Sequence, residues 1–201
     1  MAKKTVQPVQ VISDETTARL LVVPIKRQVL RHLAETELTQ KMLAELLGVS
    51  DPTISYHLEA LRTAGLVKVV RREPESHGII QNFYRARATY FVADYGKMPL
   101  DLKRYFLDVN LERLRGVFAI LRALKGIKIT LSSAEMEKLA DRISFSVAEV
   151  AKEYQARPFT GGRESLIMSL YGDALQRVIE KDPGSIELLS TQLSDLGLLN
   201  A

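Results

Sequence analysis

The sequence predicts a mainly α-helical protein in which a short β-hairpin separates two runs of helices. Apolar residues recur at three- and four-residue spacing through residues 24–64 and again from Met98 onward, which is the period of amphipathic helices. Between these runs, residues 67–91 are rich in β-branched and aromatic residues and are divided by a segment with proline and glycine, which indicates two paired strands. We therefore expect an N-terminal domain over residues 1–97 and a helical domain over residues 98–201.

The composition excludes several classes of protein. The chain of 201 residues has no cysteine, which rules out disulfides, thiolate zinc sites and a cysteine nucleophile. Its hydrophobic fraction of 46% with 26% charged residues is typical of a globular protein. No apolar run approaches the roughly 18 residues that span a bilayer, and the first residues lack the apolar core of a secretory signal. We expect a cytoplasmic protein without membrane contact.

The net charge of +4 comes from the first half of the chain. Residues 1–98 carry 14 lysines and arginines against 10 acidic residues, whereas residues 99–201 carry 14 of each. The excess is densest between Arg62 and Arg87, a stretch that includes the predicted hairpin. A basic surface suits an acidic partner such as nucleic acid, although a basic run can also be no more than a solvated face.

The helix that begins at Pro24 has a clear amphipathic pattern. Proline suits the first turn of a helix, where its missing N–H costs nothing. Ile25, Val29 and Leu33 recur at four-residue spacing and are expected to face inward. The positions expected outside are Lys26, Arg27 and Arg31.

Residues 40–65 show the pattern of a helix-turn-helix. Thr39 can cap the first helix, Gly48 tolerates the positive φ that the turn requires, and Ser50 can cap the second helix. Ala44 is small enough for the close crossing of the two helices. In the first helix Leu43, Leu46 and Leu47 are predicted to face inward, and the buried face of the second helix is predicted to be Ile54, Leu58 and Leu61. The core that the two helices share is predicted to contain Leu43, Leu47, Val49 and Ile54. Because a basic hairpin follows at once, the whole is predicted to be a winged helix-turn-helix.

A helix-turn-helix inserts the N-terminal end of its second helix into the major groove of DNA. In this helix the predicted contacts are Ser50, Asp51, Pro52, Thr53, Ser55, Tyr56 and His57, of which most are short or flat groups that suit base edges. Gln40 and Lys41 begin the first helix, where side chains and N–H groups can hold a phosphate. In the wing, phosphates are expected to contact Lys68, Arg71, Arg72 and Arg85.

The three histidines do not indicate a metal site. His32, His57 and His77 are too far apart to have ligand spacing, so no metal and no other cofactor is expected. His57 can contact a phosphate or a base, or it can be a half-buried, hydrogen-bonded residue that faces the neighbouring helix. His32 is expected to be structural. His77 lies in the predicted wing tip, where it either contacts the DNA backbone or belongs to a solvated loop.

The segments VVPIKRQVLRHLAE, LTQKMLAELLGVSDPTISYHLEALRTAGLVKVVRR and FYRARA resemble the DNA-binding domain of ArsR-type winged-helix regulators. The resemblance covers roughly residues 12–91 and is most specific in SYHLEALRTAGLV. It implies a homodimeric transcriptional repressor that binds a two-fold symmetric operator. Metal-sensing members use cysteine, histidine and carboxylate ligands, and this role is not carried over to a chain without cysteine. The two-domain length, with a helical second half, resembles the archaeal branch of the family.

A heptad seam runs through the helix that begins at the capping box of Ser132 and Glu135. Such a seam is usually the core of a bundle within one chain. A symmetric operator requires a dimer, however, and we favour dimerisation through this seam and the preceding helix. The predicted dimer contacts are Leu114, Phe118, Leu121, Met136, Ile143, Val147, Val150 and Tyr154.

The leading hypothesis is a sequence-specific regulator of transcription, a homodimeric repressor that binds double-stranded DNA through the recognition helix 51–64 and the wing. The alternative is a winged-helix module that binds proteins inside a larger transcription assembly, and it predicts a monomer with little DNA sequence preference. An enzyme is not expected, because the chain has no nucleophile elbow, zincin helix or phosphate loop. The helical second half could bind a small effector or sense temperature, and its residues do not choose between these.

Overall fold

The computed structural model describes residues 6–74, 80–126 and 131–181. These ranges contain seven α-helices, five strands and a short 3-10 turn at Tyr95–Lys97. Their order is β1 (Gln7–Ile12), α1 (Glu15–Val22), α2 (Pro24–Glu35), β2 (Leu38–Thr39), α3 (Gln40–Leu47), α4 (Asp51–Thr63), β3 (Val67–Pro74), β4 (Ile80–Ala86), β5 (Ala88–Ala93), α5 (Leu100–Lys125), α6 (Ser133–Ala156) and α7 (Arg163–Lys181). The predicted fold class, a helix-turn-helix with a β-hairpin followed by helices, is confirmed.

The second strand of the predicted hairpin divides in two at Arg87. β4 pairs antiparallel with β3 and also with β2, whereas β5 pairs parallel with β1. The Arg87 N–H donates to the carbonyl oxygen of Leu66 at 2.9 Å, and the Arg87 carbonyl oxygen accepts from the Gln7 N–H at 3.3 Å. The sequence predicts one continuous second strand, because residues 80–91 favour strand throughout. The switch of partner at Arg87 depends on β1, which lies far away in sequence.

The three helices around the turn bury their apolar faces together. In α3 and α4 the residues with little or no exposure are Leu43, Ile54, Leu58 and Leu61. Val29 and Leu33 of α2 are fully buried as well. The inward faces predicted for these helices are confirmed at these positions. The prediction for Leu46 is wrong, because this residue of α3 is 54% exposed.

Helices α5, α6 and α7 are joined by buried polar groups. The Asn110 Nδ2 of α5 donates to the Ser144 Oγ of α6 at 2.7 Å, and the Asn110 Oδ1 accepts from the Tyr171 hydroxyl of α7 at 2.8 Å. At the start of α6, the predicted capping box is confirmed, since the Ser132 N–H donates to the Glu135 carboxylate at 2.7 Å and the Glu135 N–H donates to the Ser132 Oγ at 3.3 Å. No helix within the described ranges is long and apolar enough to cross a membrane.

The described chain divides into two compact units that are not serial halves. The first unit joins the residues up to Ala93 with Ala151–Ile167, and the second joins Asp94–Val150 with the residues from Met168 onward. The last residues of α6 therefore belong to the first unit, where the Gln155 Oε1 accepts from the Val11 N–H of β1 at 2.8 Å. The N-terminal part of the first unit ends at Ala93, and no sequence pattern indicates the return of residues 151–167.

Candidate nucleic-acid interface

Short-range hydrogen bonds fix the turn between α3 and α4. The Thr39 Oγ1 accepts from the Met42 N–H at 3.2 Å, and the Ser50 Oγ accepts from the Thr53 N–H at 3.4 Å. Gly48 ends α3 at a φ of 65°, which favours glycine. The predicted caps at Thr39 and Ser50 and the predicted positive φ at Gly48 are confirmed. The Thr53 Oγ1 also lies 2.8 Å from the Ser50 Oγ, so two hydroxyls that are predicted to contact DNA are bonded to each other.

Gln40 joins the beginnings of the two helices. Its Nε2 donates to the backbone carbonyl oxygen of Asp51 at 3.2 Å. The side chain predicted to bind a phosphate therefore holds α4 against α3. Its neighbour Lys41 is exposed, and no hydrogen bond or ion pair within the described ranges involves it. Of these two residues, Lys41 has the cation that is available to a phosphate.

Helix α4 presents a polar face to solvent on the side opposite its buried leucines. The exposed residues in its first half are Asp51, Pro52, Ser55 and Tyr56. The ring of Tyr56 is unusually accessible for an aromatic residue, at 69% exposure. These residues were predicted from the sequence, and the structure brings them together on one surface beside the turn.

Arg71 is held within the wing by several contacts. Its guanidinium carbon lies 3.5 Å from the centroid of the Phe83 ring, its partner in register on β4. Its Nε lies 3.6 Å from a Glu37 carboxylate oxygen, and its Nη1 forms an ion pair with Glu73. Since two carboxylates already neutralise this guanidinium, Arg71 is better placed to stabilise the hairpin than to bind a phosphate.

The other predicted cations of the wing have fewer partners. Arg72 is exposed and makes no hydrogen bond or ion pair in the described part of the chain. Lys68 and Arg85 are directly opposite each other on β3 and β4. The Arg85 Nε is buried, with no hydrogen-bond partner among the described residues. Because like charges in opposite positions repel, an anion bound beside this pair would be stabilising.

The prediction for Lys26 is wrong. The sequence predicts it on the outer face of α2, yet only 7% of the residue is exposed. Its Nζ lies 5.7 Å from the centroid of the Tyr56 ring on α4. Lysine can bury its aliphatic stem while its ammonium remains near the surface. A pattern that counts lysine as polar misses this, and no other sequence signal marks Lys26 as part of the interface.

His57 is half-buried, as its structural interpretation expects, but without a hydrogen bond at Nδ1. Its ring centroid lies 5.3 Å from that of Tyr56, with the planes at 65°. Its Nδ1 is buried and has no hydrogen-bond partner within the described ranges. Burial, and secondarily the positive charge of Lys26, lower the pKa of His57 below its usual value. The imidazole is therefore neutral near pH 7.

The residues predicted for dimerisation are largely buried by the chain itself. The buried members are Leu114, Ile143, Val147, Val150 and Tyr154. Phe118 and Met136 are half-buried, and the side chain of Leu121 lies outside the described residues. Burial within one chain is what the alternative interpretation of the seam, a bundle core, requires.

Among the residues that the structure describes, no three histidine, aspartate or glutamate side chains are grouped as metal ligands. His32 is half-buried in α2, and His57 faces the Tyr56 ring. His77 lies outside the described residues.

A helix-turn-helix with an exposed polar helix face, followed directly by a basic hairpin, defines the winged helix-turn-helix class of DNA-binding proteins. Residues 24–69 match the family model described as "Bacterial regulatory protein, arsR family". The match begins with α2, includes α3, the turn and α4, and ends in β3. The chain thus carries an ArsR-type helix-turn-helix domain at residues 24–69 and is a DNA-binding regulator of transcription. No curated protein matches the chain.

Proposed function

We propose that the chain is a homodimeric repressor that binds a two-fold symmetric operator, with α4 in the major groove and the wing along the backbone. The observation that carries this proposal is the exposed polar face of α4. The Gln40 hydrogen bond holds this helix against α3. A helix fixed in this way presents the same groups to every DNA molecule, as sequence-specific readout requires.

The exposed residues divide the work of recognition. The hydroxyl of Ser55 and the ring of Tyr56 can contact base edges and thymine methyl groups, and the Asp51 carboxylate can accept from a cytosine amino group. Lys41 and Arg72 are the accessible cations for phosphates, with Lys68 and Arg85 beside them on the wing. If each protomer neutralises three or four phosphates, the log–log salt slope of a dimer is roughly −5 to −7.

A two-fold operator requires two copies of α4 about 34 Å apart, one turn of DNA. We place the dimer contact on α5 and α6 of the second unit. Because Ile143, Val147 and Val150 are buried within the chain, the accessible part of the predicted seam is Phe118 and Met136. Repression then follows from occupancy, since a bound dimer excludes the polymerase from the promoter.

Selection of bound fragments from random DNA, followed by fluorescence anisotropy, tests this proposal. The double variant Ser55→Ala/Tyr56→Ala should reduce the preference for selected over random DNA at least about tenfold, because each base contact contributes roughly 1–3 kcal/mol of discrimination. Thr53 is left intact, because its hydroxyl takes part in the cap of α4. An unchanged preference in the double variant would exclude α4 as the recognition helix.

Two arginine variants separate phosphate contacts from base contacts. Arg72→Ala should weaken the binding of selected and random DNA by the same factor and reduce the salt slope. Arg104→Ala, which removes an exposed charge from α5, is the matched control and should bind as the wild type does.

Light scattering at micromolar concentration gives the mass of the protein in solution and tests the dimer. A monomer that occupies the operator with only one α4 would contradict the dimer.

One observation favours a second function, that of a protein-binding module. Met42 and Leu46 lie one helical turn apart on α3 and are 47% and 54% exposed. This apolar pair can contact another protein in a transcription assembly. A monomeric chain without DNA sequence preference, which loses a copurifying transcription protein when Met42 and Leu46 become serine, would favour this function over the repressor.

A further inference from the structure

Lys26 is a cation in an unusual place. Lysine is almost never fully buried unless it is paired, yet the 7%-exposed Lys26 makes no ion pair and no hydrogen bond within the described ranges. The contact that the structure shows for its ammonium is the Tyr56 ring at 5.7 Å. No anion of the described chain therefore neutralises this positive charge.

The polar groups around Lys26 also lack hydrogen-bond partners in the described part of the chain. His57 has a buried Nδ1 with no partner, and the Tyr56 hydroxyl makes no hydrogen bond in the described part of the chain. Lys26 itself belongs to the first turn of α2, whose N-cap residue, Val23, provides no side-chain hydrogen bond. An ammonium, a phenol and an imidazole therefore lie together. The carboxylates of Asp14 and Glu59 line a pocket beside Tyr56 to which Lys26 and His57 do not contribute.

This chemistry suits an oxyanion rather than a cation or an apolar group. An anion would neutralise Lys26 and accept hydrogen bonds from the neighbouring donors. His57 is neutral in the free protein because burial lowers its pKa. It therefore adds no positive charge that would repel the ammonium of Lys26. A bound anion would raise that pKa again and favour a second positive charge.

The position of Tyr56 indicates which anion is bound. Tyr56 belongs to the exposed face of α4 that is proposed to enter the major groove, and backbone phosphates line both edges of that groove. We propose that Lys26, Tyr56 and His57 form a phosphate-binding site for the DNA backbone, on the first turn of α2 and separate from the wing. This inference rests on the proposed function, because it needs α4 to lie in the groove.

The test compares Lys26→Gln with Arg31→Gln, which removes an exposed charge from the same helix. Anisotropy titrations with selected and random DNA between 50 and 200 mM salt give the salt slope. Lys26→Gln should lose affinity for both DNAs alike, and its slope should be smaller by about 0.9, so its affinity should fall about 3.5-fold less over that range. Arg31→Gln should keep the wild-type slope. Lys26→Met, which keeps the aliphatic stem, should behave like Lys26→Gln if charge rather than packing is responsible.

The outcomes separate this site from the proposed function. If the wild type prefers selected DNA and Lys26→Gln keeps the wild-type slope, the site is wrong while the function stands. If the wild type shows no preference or no binding, both are wrong. A titration with inorganic phosphate, followed by the imidazole proton resonances of His57, separates the two phosphate sources. One result would assign the site to free phosphate and overturn the backbone contact. The His57 resonances would move with phosphate in the wild type and not in Lys26→Gln, while Lys26→Gln keeps the wild-type salt slope with DNA.

Discussion

The Gln40 side-chain amide donates to the Asp51 backbone carbonyl and joins the first residues of α3 and α4. We expect Gln40→Ala to lower the free energy of unfolding by about 0.5–1.5 kcal/mol, the usual contribution of such a hydrogen bond. The same change should reduce the preference for operator DNA, because α4 becomes less well fixed. Urea unfolding and DNA titrations measure the two effects.

Lys41→Ala is the matched variant, since it removes the adjacent side chain without breaking a hydrogen bond in the described structure. It should leave the free energy of unfolding unchanged and weaken the binding of all DNA sequences alike. If Gln40→Ala and Lys41→Ala give the same pair of effects, the Gln40 hydrogen bond does not position α4.

Gly48 and Gly116 should respond with opposite signs to the same substitution. Gly48 has a φ of 65°, where a side chain is strained, and a Cβ there would meet no atom within 4 Å. Gly48→Ala should therefore destabilise the protein by about 1–2 kcal/mol through its backbone alone. Gly116 lies inside α5 with open space around it, so Gly116→Ala should stabilise by about 0.5–1 kcal/mol. Thermal unfolding measures both, and a stabilising Gly48→Ala would contradict the left-handed turn.

Asn110→Ala should destabilise the second unit. The change removes the acceptor of the Tyr171 hydroxyl and the donor to the Ser144 Oγ, so that one polar atom of α6 and one of α7 lose a partner. Leaving such groups unsatisfied costs about 1–3 kcal/mol. Urea unfolding, followed by circular dichroism, measures the loss. Asp108→Ala, an exposed position on the same helix, should have little effect, and equal losses in the two variants would contradict the role of Asn110.

The stability of the free protein should fall in mildly acidic solution because of His57. The folded state holds the pKa of His57 below the usual value of about 6.5, mainly through burial. The unfolded state therefore binds more protons as the pH falls, and the stabilisation that is complete above pH 6.5 is lost as the pH falls through the folded pKa. Urea unfolding at pH 7.5 and 5.5 should show a larger loss for the wild type than for His57→Gln. An equal loss in both would assign the pH dependence to other groups.

Local chemistry explains why the caps, the turn and the exposed face of the helix-turn-helix could be predicted. The caps at Thr39 and Ser50 and the left-handed turn at Gly48 depend only on residues a few positions away in the sequence. Such local interactions can be recognised from the sequence alone. The exposed positions of α4 followed from its periodicity for the same reason. Arg71 shows the limit of this reasoning, because one of its partners, Glu37, comes from a separate part of the chain.

The features that the sequence did not reveal depend on distant contacts or on ambiguous patterns. Lys26 was misplaced because helical periodicity does not separate a lysine stem from its charge. The heptad positions Ile143 and Val150 have the same spacing whether they face another helix of the chain or a second copy. The division of the strand at Arg87 is likewise set by pairing with β1 rather than by local β-propensity.

The hydrogen bond between Gln155 and Val11 has a consequence for how the gene can be divided. In topological terms most of the second unit is an insertion, placed between β5 and the last turn of α6. A polypeptide that stopped at residue 97 would lack the acceptor for the Val11 N–H and would also lose Tyr154 and Leu166, which are buried in the whole protein. A DNA-binding fragment that keeps the whole first unit therefore has to include residues 151–167, either by continuing to Ile167 or by reattaching them through a linker.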